Sequence, residues 1–600
     1  MKKHYFSIIL TTILLLLVIS SYAQITTSLG EVRDKSELLI GFNRRSNKGS
    51  WWSNTSFKSL VAKMNPEIVR YPGGTQANYW DWHNGKFIDN TDKPWYTREV
   101  LTIPTFASVI TSKTKVIYVV NMSRPTSATG IDVNSEERIL KSDATLDKVI
   151  VDIKDAIAEF VSNGITPYAI ELGNEYYFGN EEAGIFHIVE NAGKYYSGWD
   201  KVNETAYSHT NKKDATITNV KFYLNHCEKI VSDIIKDYPD MKFALISTKR
   251  GRGTSTRESW NETIYSELEK SDTYPTLFNK VTALTQHHYI DDKYGDQTIV
   301  VDKPTAKIAI AEGITYPRSR EADYQQVPSK YKIWYTEYGA TKKTAETMWT
   351  TGMRSVALSL SWIDRGDKVG QLNYHYITDK NVVWPDEPNE TVEMNLAPIG
   401  IASYMLSLAS AGMEEMHKIT FSDNTEVVSG VKALQGYKFK NGNKETLIIL
   451  NLTDKDINKI KIDNLFSYAG DKKLKQYWSD TPYEVEAYEG HKIQFHQKNI
   501  NLSNFDSHNF SISVIEIESS MGLNDNISKK IKVSPNPFNN TIVISNCAIK
   551  DVRFFNFQGQ ELTSKLTFEK KGKDTVVNTS NLPKGYYVVK VADITTAIIK

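Results

Sequence analysis

The chain has 600 residues, too many for a single hydrophobic core, so about two to four domains are expected. Hydrophobic residues make up 40% and charged residues 24%, the balance of a soluble globular protein rather than a disordered or membrane-embedded one. A formal net charge of +1 supplies no global field to recruit nucleic acid or an anionic membrane.

Lys2, Lys3 and His4 precede an apolar run from Phe6 to Ile19, and Ser21-Tyr22-Ala23 puts small residues where a signal peptidase reads. Residues 1–23 therefore read as a secretory signal peptide. The run is short for a span of ~20 residues. No second run of that length follows, so no stable membrane span is expected. Cys227 and Cys547 lie far apart, which argues against a disulfide framework despite export. No HExxH, CxxC, GxSxG or Walker motif appears, so zinc peptidase, serine hydrolase and nucleotidase readings lose their usual support. Asp454-Lys455-Asp456-Ile457-Asn458 lacks the Gly and Glu of a calcium loop; no cofactor or active-site metal is expected, and the sequence leaves structural calcium open.

Residues 24–414 alternate short β-rich runs with longer amphipathic stretches. The candidate strands are Leu38–Phe42, Glu67–Tyr71, Lys115–Asn121, Tyr168–Leu172, Lys242–Ser247, Ala283–His287, Lys332–Thr336 and Gly370–Tyr374. Leu146–Val161 exemplifies the stretches between them, with apolar residues recurring at helical spacing. Eight such units predict a (β/α)8 TIM barrel. A doubly wound sheet is the alternative, but no Gly-rich nucleotide turn follows the first strand. Residues 415–518 change character: short alternating runs such as Thr446–Leu452 and Ser511–Glu518 predict an antiparallel β-sandwich. A polar linker, 519–530, leads to a small all-β unit over 531–600.

The chemistry is sought at the C-terminal ends of the barrel strands, where the βα loops build the site. Few of the 71 acidic residues stand just after an apolar strand. Tyr168–Leu172 runs into Gly173-Asn174-Glu175, and Ile333-Trp334-Tyr335-Thr336 runs into Glu337-Tyr338-Gly339. Asn-Glu pairs also start at 180, 203, 261 and 389, so position carries more weight than the dipeptide. Paired carboxyl groups flanking a scissile bond are what glycoside hydrolysis requires.

With these motifs at strands four and seven, residues 37–518 resemble the large clan A of retaining (β/α)8 glycosidases. The resemblance implies Glu175 as acid/base and Glu337 as nucleophile. It also implies Arg70, ending strand two, and Tyr289, in His287-His288-Tyr289 after strand six, as partners of the nucleophile. Asn174 would bind the sugar 2-hydroxyl, and His287 would line the site. The run Arg70–Trp82 is similar to the arabinofuranosidase and glucuronidase branches. The 162 residues from Glu175 to Glu337 imply inserted loops.

Val533-Ser534-Pro535-Asn536-Pro537-Phe538, then Val552–Phe557 and Asn581-Leu582-Pro583-Lys584-Gly585-Tyr586, resemble the type A sorting domain of the type IX secretion system. That implies export through the periplasm and outer membrane, with the secretion machinery as a partner.

Three catalytic-face loops are locally basic: Asn43–Lys48 with Arg44 and Arg45, Ser123-Arg124, and Lys249-Arg250-Gly251-Arg252 followed by Arg257. Arginine recognises sulfate and carboxylate bidentately. The expected substrate is an anionic polysaccharide, a sulfated galactan of agar or porphyran type or a uronate-bearing chain. Trp51, Trp52, Tyr79, Trp80 and Trp82 are candidate stacking platforms, Trp80 and Trp82 above all because they lie in a post-strand loop. The alternatives are an exo-acting arabinofuranosidase or glucuronidase, and a non-catalytic secreted glycan-binding protein.

Overall fold

The computed structural model describes residues 24–44, 49–87, 101–122, 143–178, 188–191, 193–200, 205–249, 255–290, 303–340, 348–378, 380, 382–385, 394–467, 471–485, 487–500, 505–517, 533–534, 539–545, 549, 552–556, 560–572, 574–591 and 594–600. The signal peptide, Cys547, Arg45, Arg124, Arg250 and Arg252 lie outside these residues.

Eight parallel strands close into a barrel in chain order. They are Leu39–Asn43, Ile68–Tyr71, Lys115–Val119, Ala169–Glu171, Lys242–Ile246, Val281–Ile290, Lys332–Ala340 and Val369–Tyr374. Each coincides with one of the eight runs anticipated from β-branched and aromatic clustering. Burial on both faces explains why these runs are nearly unbroken apolar: strand two, Ile68–Tyr71, is buried at every residue.

Alternation along each strand sorts the barrel interior into layers. Leu39, Ile68, Ile117, Ala169, Ala244, Ala283 and Trp334 pack into one cluster, the three alanines making room for the indole. Two residues further along each of three strands stand Gly41, Arg70 and Glu171, so Arg70 and Glu171 rise directly above the apolar floor. The helix Thr55–Met64 shows how the connections start and stop. Asn54 accepts from the amides of Ser56 and Phe57, and Asn65 in left-handed conformation closes the end. The helix Trp349–Ile363 is buried at every residue and packs against Pro398–Ser410.

An eight-stranded, mainly antiparallel sheet accompanies the barrel, built from Glu415–Phe421, Leu434–Asn441, Lys444–Asn451, Ser511–Ile517, Lys472–Trp478, Lys492–Ile500 and Tyr488–Glu489, the last pairing in parallel with its neighbour. Its other edge is Thr27–Asp34, which pairs with Glu415–Phe421. This strand was read with the barrel; its partner lies nearly 400 residues away, and local patterning carries no sign of it. Ile457–Ile460 and Phe505–Ser507 form a second pair, and Ile419, Leu447, Ile449, Ile460, Leu474, Phe505 and Ile515 share a core.

The chain divides into two compact units, the second comprising 468–471 and 517–600. In the second, Val533–Ser534, Thr541–Ile544, Asp574–Asn578 and Thr567–Lys571 form one sheet, and Val552–Asn556, Tyr586–Val591 and Ile594–Ile599 another. Ile542, Ile544, Phe554, Val577, Val589 and Ile598 make its separate core. Among the described residues no helix is long and apolar enough to cross a membrane.

Candidate active site

Arg70 organises the mouth of the barrel. Strand register sets Asn43 beside Arg70 and Glu171 beside Val119. The guanidinium is fully buried and donates to Glu171 twice, Nε to Oε2 at 2.6 Å and Nη2 to Oε1 at 2.9 Å. Nη1 donates to Glu337 Oε1 at 2.7 Å and to Asn43 Oδ1 at 3.3 Å, and Nη2 to Asn174 Oδ1 at 2.8 Å. Burial pushes the Arg70 pKa down, and Glu171 and Glu337 more than reverse this, so the group stays cationic. One fork thus serves four side chains, from strands one, four and seven and the loop after four, a geometry that lysine cannot reproduce.

Glu175 is held by a sharp turn after strand four. Gly173 has φ +89° and Glu175 itself φ 54°. A glutamate in left-handed backbone is uncommon and persists where its surroundings over-determine it. Here Tyr177 Oη donates to Glu175 Oε1 at 2.6 Å, and His287 Nδ1 lies 2.8 Å from the same oxygen. The ring of Tyr176 lies where a Gly173 side chain would point. Gly173→Ala is therefore expected to cost ~1–3 kcal/mol of stability through φ strain and overlap. It should also lower turnover by a larger factor than its small change in melting temperature suggests, because the displaced turn carries Glu175. Thermal melts beside kcat measurements check this.

Glu337 is the more enclosed carboxylate, its side chain 5% exposed against 21% for Glu175. Strand register places it beside His287, whose Nδ1 is 3.7 Å from Glu337 Oε2. Tyr289 Oη donates to Oε2, and the same hydroxyl lies 2.7 Å from His375 Nδ1, which is itself 3.2 Å from Oε2. A Cβ at Gly74 would sit 3.4 Å from Oε1, the oxygen that Arg70 holds.

The electrostatics separate the two partners of this cluster. Burial pushes the Glu337 carboxyl up, but His287, His375 and Arg70 hold it well below the usual carboxylate range. Burial pushes His287 down, and Glu337 and Glu175 hold it above its ordinary value. A histidine raised on folding contributes stability that is full below its unfolded value of ~6.5 and is lost as pH rises through the folded value. A depressed carboxylate contributes stability that is full above ~4.3 and is lost as pH falls through the folded value. The melting temperature is thus expected to be greatest between about pH 5 and 6.5 and to fall on the alkaline side as His287 loses its proton. His287→Asn should flatten that alkaline fall in melts run across pH.

The structure brings together Arg70, Asn174, Glu175, His287, Tyr289 and Glu337 as the sequence anticipated, and separates off other candidates. Trp80 and Trp82 are not stacking platforms. They are 2% and 8% exposed, their indole nitrogens donating to Tyr71 Oη at 3.0 Å and Asp152 Oδ1 at 3.1 Å. Trp51 and Trp52 are likewise buried, packed on Phe57. Arg44 is no rim cation. It is fully buried, its guanidinium 5.0 Å from the Trp80 ring centre and 5.5 Å from that of Tyr71. A post-strand position decides which end of the barrel a residue occupies, not which way its side chain turns, and large apolar rings turned inward. His288 faces the barrel's outer layer among Tyr316, Tyr335 and Trp362.

Sequence reasoning missed Asn43, Glu171, Tyr177 and His375. Each ends a barrel strand or lies within six residues of one, and that rule, applied to every strand, finds all four.

Residues 532–600 match the family model of the secretion system C-terminal sorting domain. This domain directs the chain through type IX secretion to the cell surface or beyond it. No curated protein matches the sequence. Among solved structures, a family 51 α-L-arabinofuranosidase from Bifidobacterium longum aligns with TM-score 0.54 at 12% identity, over 82% of this chain and 99% of its own. A family 51 arabinofuranosidase from Xanthomonas axonopodis pv. citri gives 0.54 at 9% identity, over 82% and 100%. A conserved exported protein from Bacteroides fragilis gives 0.50 at 12% identity, over 82% and 100%. At these identities the likeness is one of fold.

Proposed function

We propose that this exported chain is a retaining glycoside hydrolase acting on a polysaccharide, with Glu337 as nucleophile and Glu175 as acid/base. The observation that carries the proposal is one imidazole nitrogen, His287 Nδ1, 2.8 Å from Glu175 Oε1 and 3.7 Å from Glu337 Oε2. The two oxygens are no further apart than those distances laid end to end. That span accommodates the ~5–5.5 Å of retaining enzymes and only touches the inverting range of ~6.5–9.5 Å.

The steps follow from the surroundings of each group. Glu337, ionised by Arg70 and the histidines, attacks the anomeric carbon as Glu175 gives its proton to the leaving oxygen. Tyr289 stays protonated because burial, then Glu337, push its hydroxyl well above its ordinary value, so it remains a donor to the nucleophile. Water then attacks the glycosyl-enzyme, with Glu175 now taking the proton. Asn174 Nδ2 is buried without a hydrogen-bond partner among the described residues, while its Oδ1 is fixed on Arg70. That spare donor suits the sugar 2-hydroxyl, a contact that strengthens toward the transition state.

An exo-acting arabinofuranosidase is the second reading, suggested by the likeness of the run Arg70–Trp82 to that branch. Digestion of a glycan panel separates the readings by product length, and proton NMR of the first product reads the stereochemistry. Retention of anomeric configuration is expected; inversion contradicts the mechanism. A wild-type chain that binds glycans but cuts none would favour a binding protein.

A further inference from the structure

Arg257 lies in the first turn of the helix Ser255–Leu268, which follows strand five. This helix start is pinned to the barrel. Asn261 Oδ1 accepts from the Thr248 amide at 2.9 Å, and its Nδ2 donates to the Thr248 carbonyl at 2.6 Å. Trp260 Nε1 donates to the Ile246 carbonyl at 2.9 Å. Arg257 and Asn261 are four residues apart and share a helix face, so the anchor fixes where the arginine points. Its guanidinium lies 5.3 Å from the Tyr177 ring centre and 4.7 Å from that of Phe178. Tyr177 is the residue whose hydroxyl holds Glu175.

Two facts give this arrangement a meaning. Among the described residues no carboxylate pairs with Arg257, and its guanidinium lies over two aromatic rings. An aromatic ring neutralises no charge, so a guanidinium held over rings keeps its fork for an oxyanion, which it takes bidentately.

We infer that the leaving-group side of the cleft takes a sugar bearing a sulfate or a carboxylate, and that Arg257 reads it. This rests on the proposed function, because the acid/base Glu175 is what makes that side the leaving-group side.

The test uses the full chain and two matched pairs: porphyran against agarose for sulfate, and glucuronoxylan against its carboxyl-reduced form for carboxylate. In at least one pair the wild type is expected to prefer the anionic member, in kcat/KM and in affinity electrophoresis. Arg257→Gln should cut that preference about ten-fold, with Arg257→Lys in between. The pair that responds identifies the anion. Equal losses on both members would overturn the inference and leave Arg257 as a positioning residue for Tyr177, as would a wild type that shows no anionic preference. Electrophoresis reads binding without turnover. The inference therefore survives or fails even where nothing is cut, whereas absent hydrolysis counts against the proposed function alone. Should Arg257→Gln not fold, the Arg257→Lys ratio decides.

Discussion

Glu337→Gln is expected to lower kcat on the cleaved glycan by ~10⁴-fold or more, equivalent to ~5–6 kcal/mol of transition-state stabilisation. An amide of the same shape fills the same space but cannot form the glycosyl ester. The fold should tolerate it. Arg70 keeps its bidentate pair with Glu171, so no buried charge is stranded. Glu175→Gln should behave differently. Its loss falls on protonation of the leaving oxygen, so ~10²–10⁴-fold is expected for sugar leaving groups and far less for an activated aryl glycoside. Comparing kcat/KM on polymer and aryl substrate for both variants checks the assignment: a loss independent of leaving group marks the nucleophile, and a loss that depends on it marks the acid.

Arg70→Met is expected to damage stability and activity together. It strands Glu171 and Glu337, both essentially buried, without their shared cation. Breaking a buried ion pair from one side costs ~3–5 kcal/mol, visible as a melting transition several degrees lower. Without Arg70, Glu337 loses one of the groups that keep it ionised, so turnover should fall by ~10³-fold or more on top of that. Arg70→Met with Glu171→Leu removes both charges of the bidentate pair. It should recover much of the stability but none of the activity, because replacing both partners with apolar groups is far less costly than removing one. A melting temperature unchanged in the single variant would contradict the organising role given to Arg70.

The barrel was legible because a buried parallel strand has a distinctive composition, and all eight strands fell where the sequence suggested. Arg70, Glu175 and Glu337 were legible because a charged residue at the end of an apolar run is conspicuous. What was not legible depends on side-chain direction. Glu171 looked like one more strand residue, and nothing local says that it turns inward to meet an arginine 101 positions earlier. His375 follows strand eight without an accompanying pattern. Trp80, Trp82 and Arg44 sit in the loops where substrate contacts belong, yet Trp80 and Arg44 pack on each other and on Tyr71, and Trp82 stacks on His83 and donates to Asp152, since burial of large rings outweighs exposure at a rim. Of the described residues in the basic stretch after strand five, Arg257 is set over the rings of Tyr177 and Phe178.

The central claim is that Glu337 becomes covalently attached to the sugar. The direct measurement is intact-mass spectrometry and peptide mapping of Glu175→Gln incubated with an aryl glycoside of the sugar released from the glycan panel. Activated departure needs little acid help, whereas the second step lacks its base, so the glycosyl-enzyme should accumulate. One added glycosyl mass is expected, located on Glu337. An adduct on another residue, or full turnover by Glu337→Gln with no adduct, would contradict it.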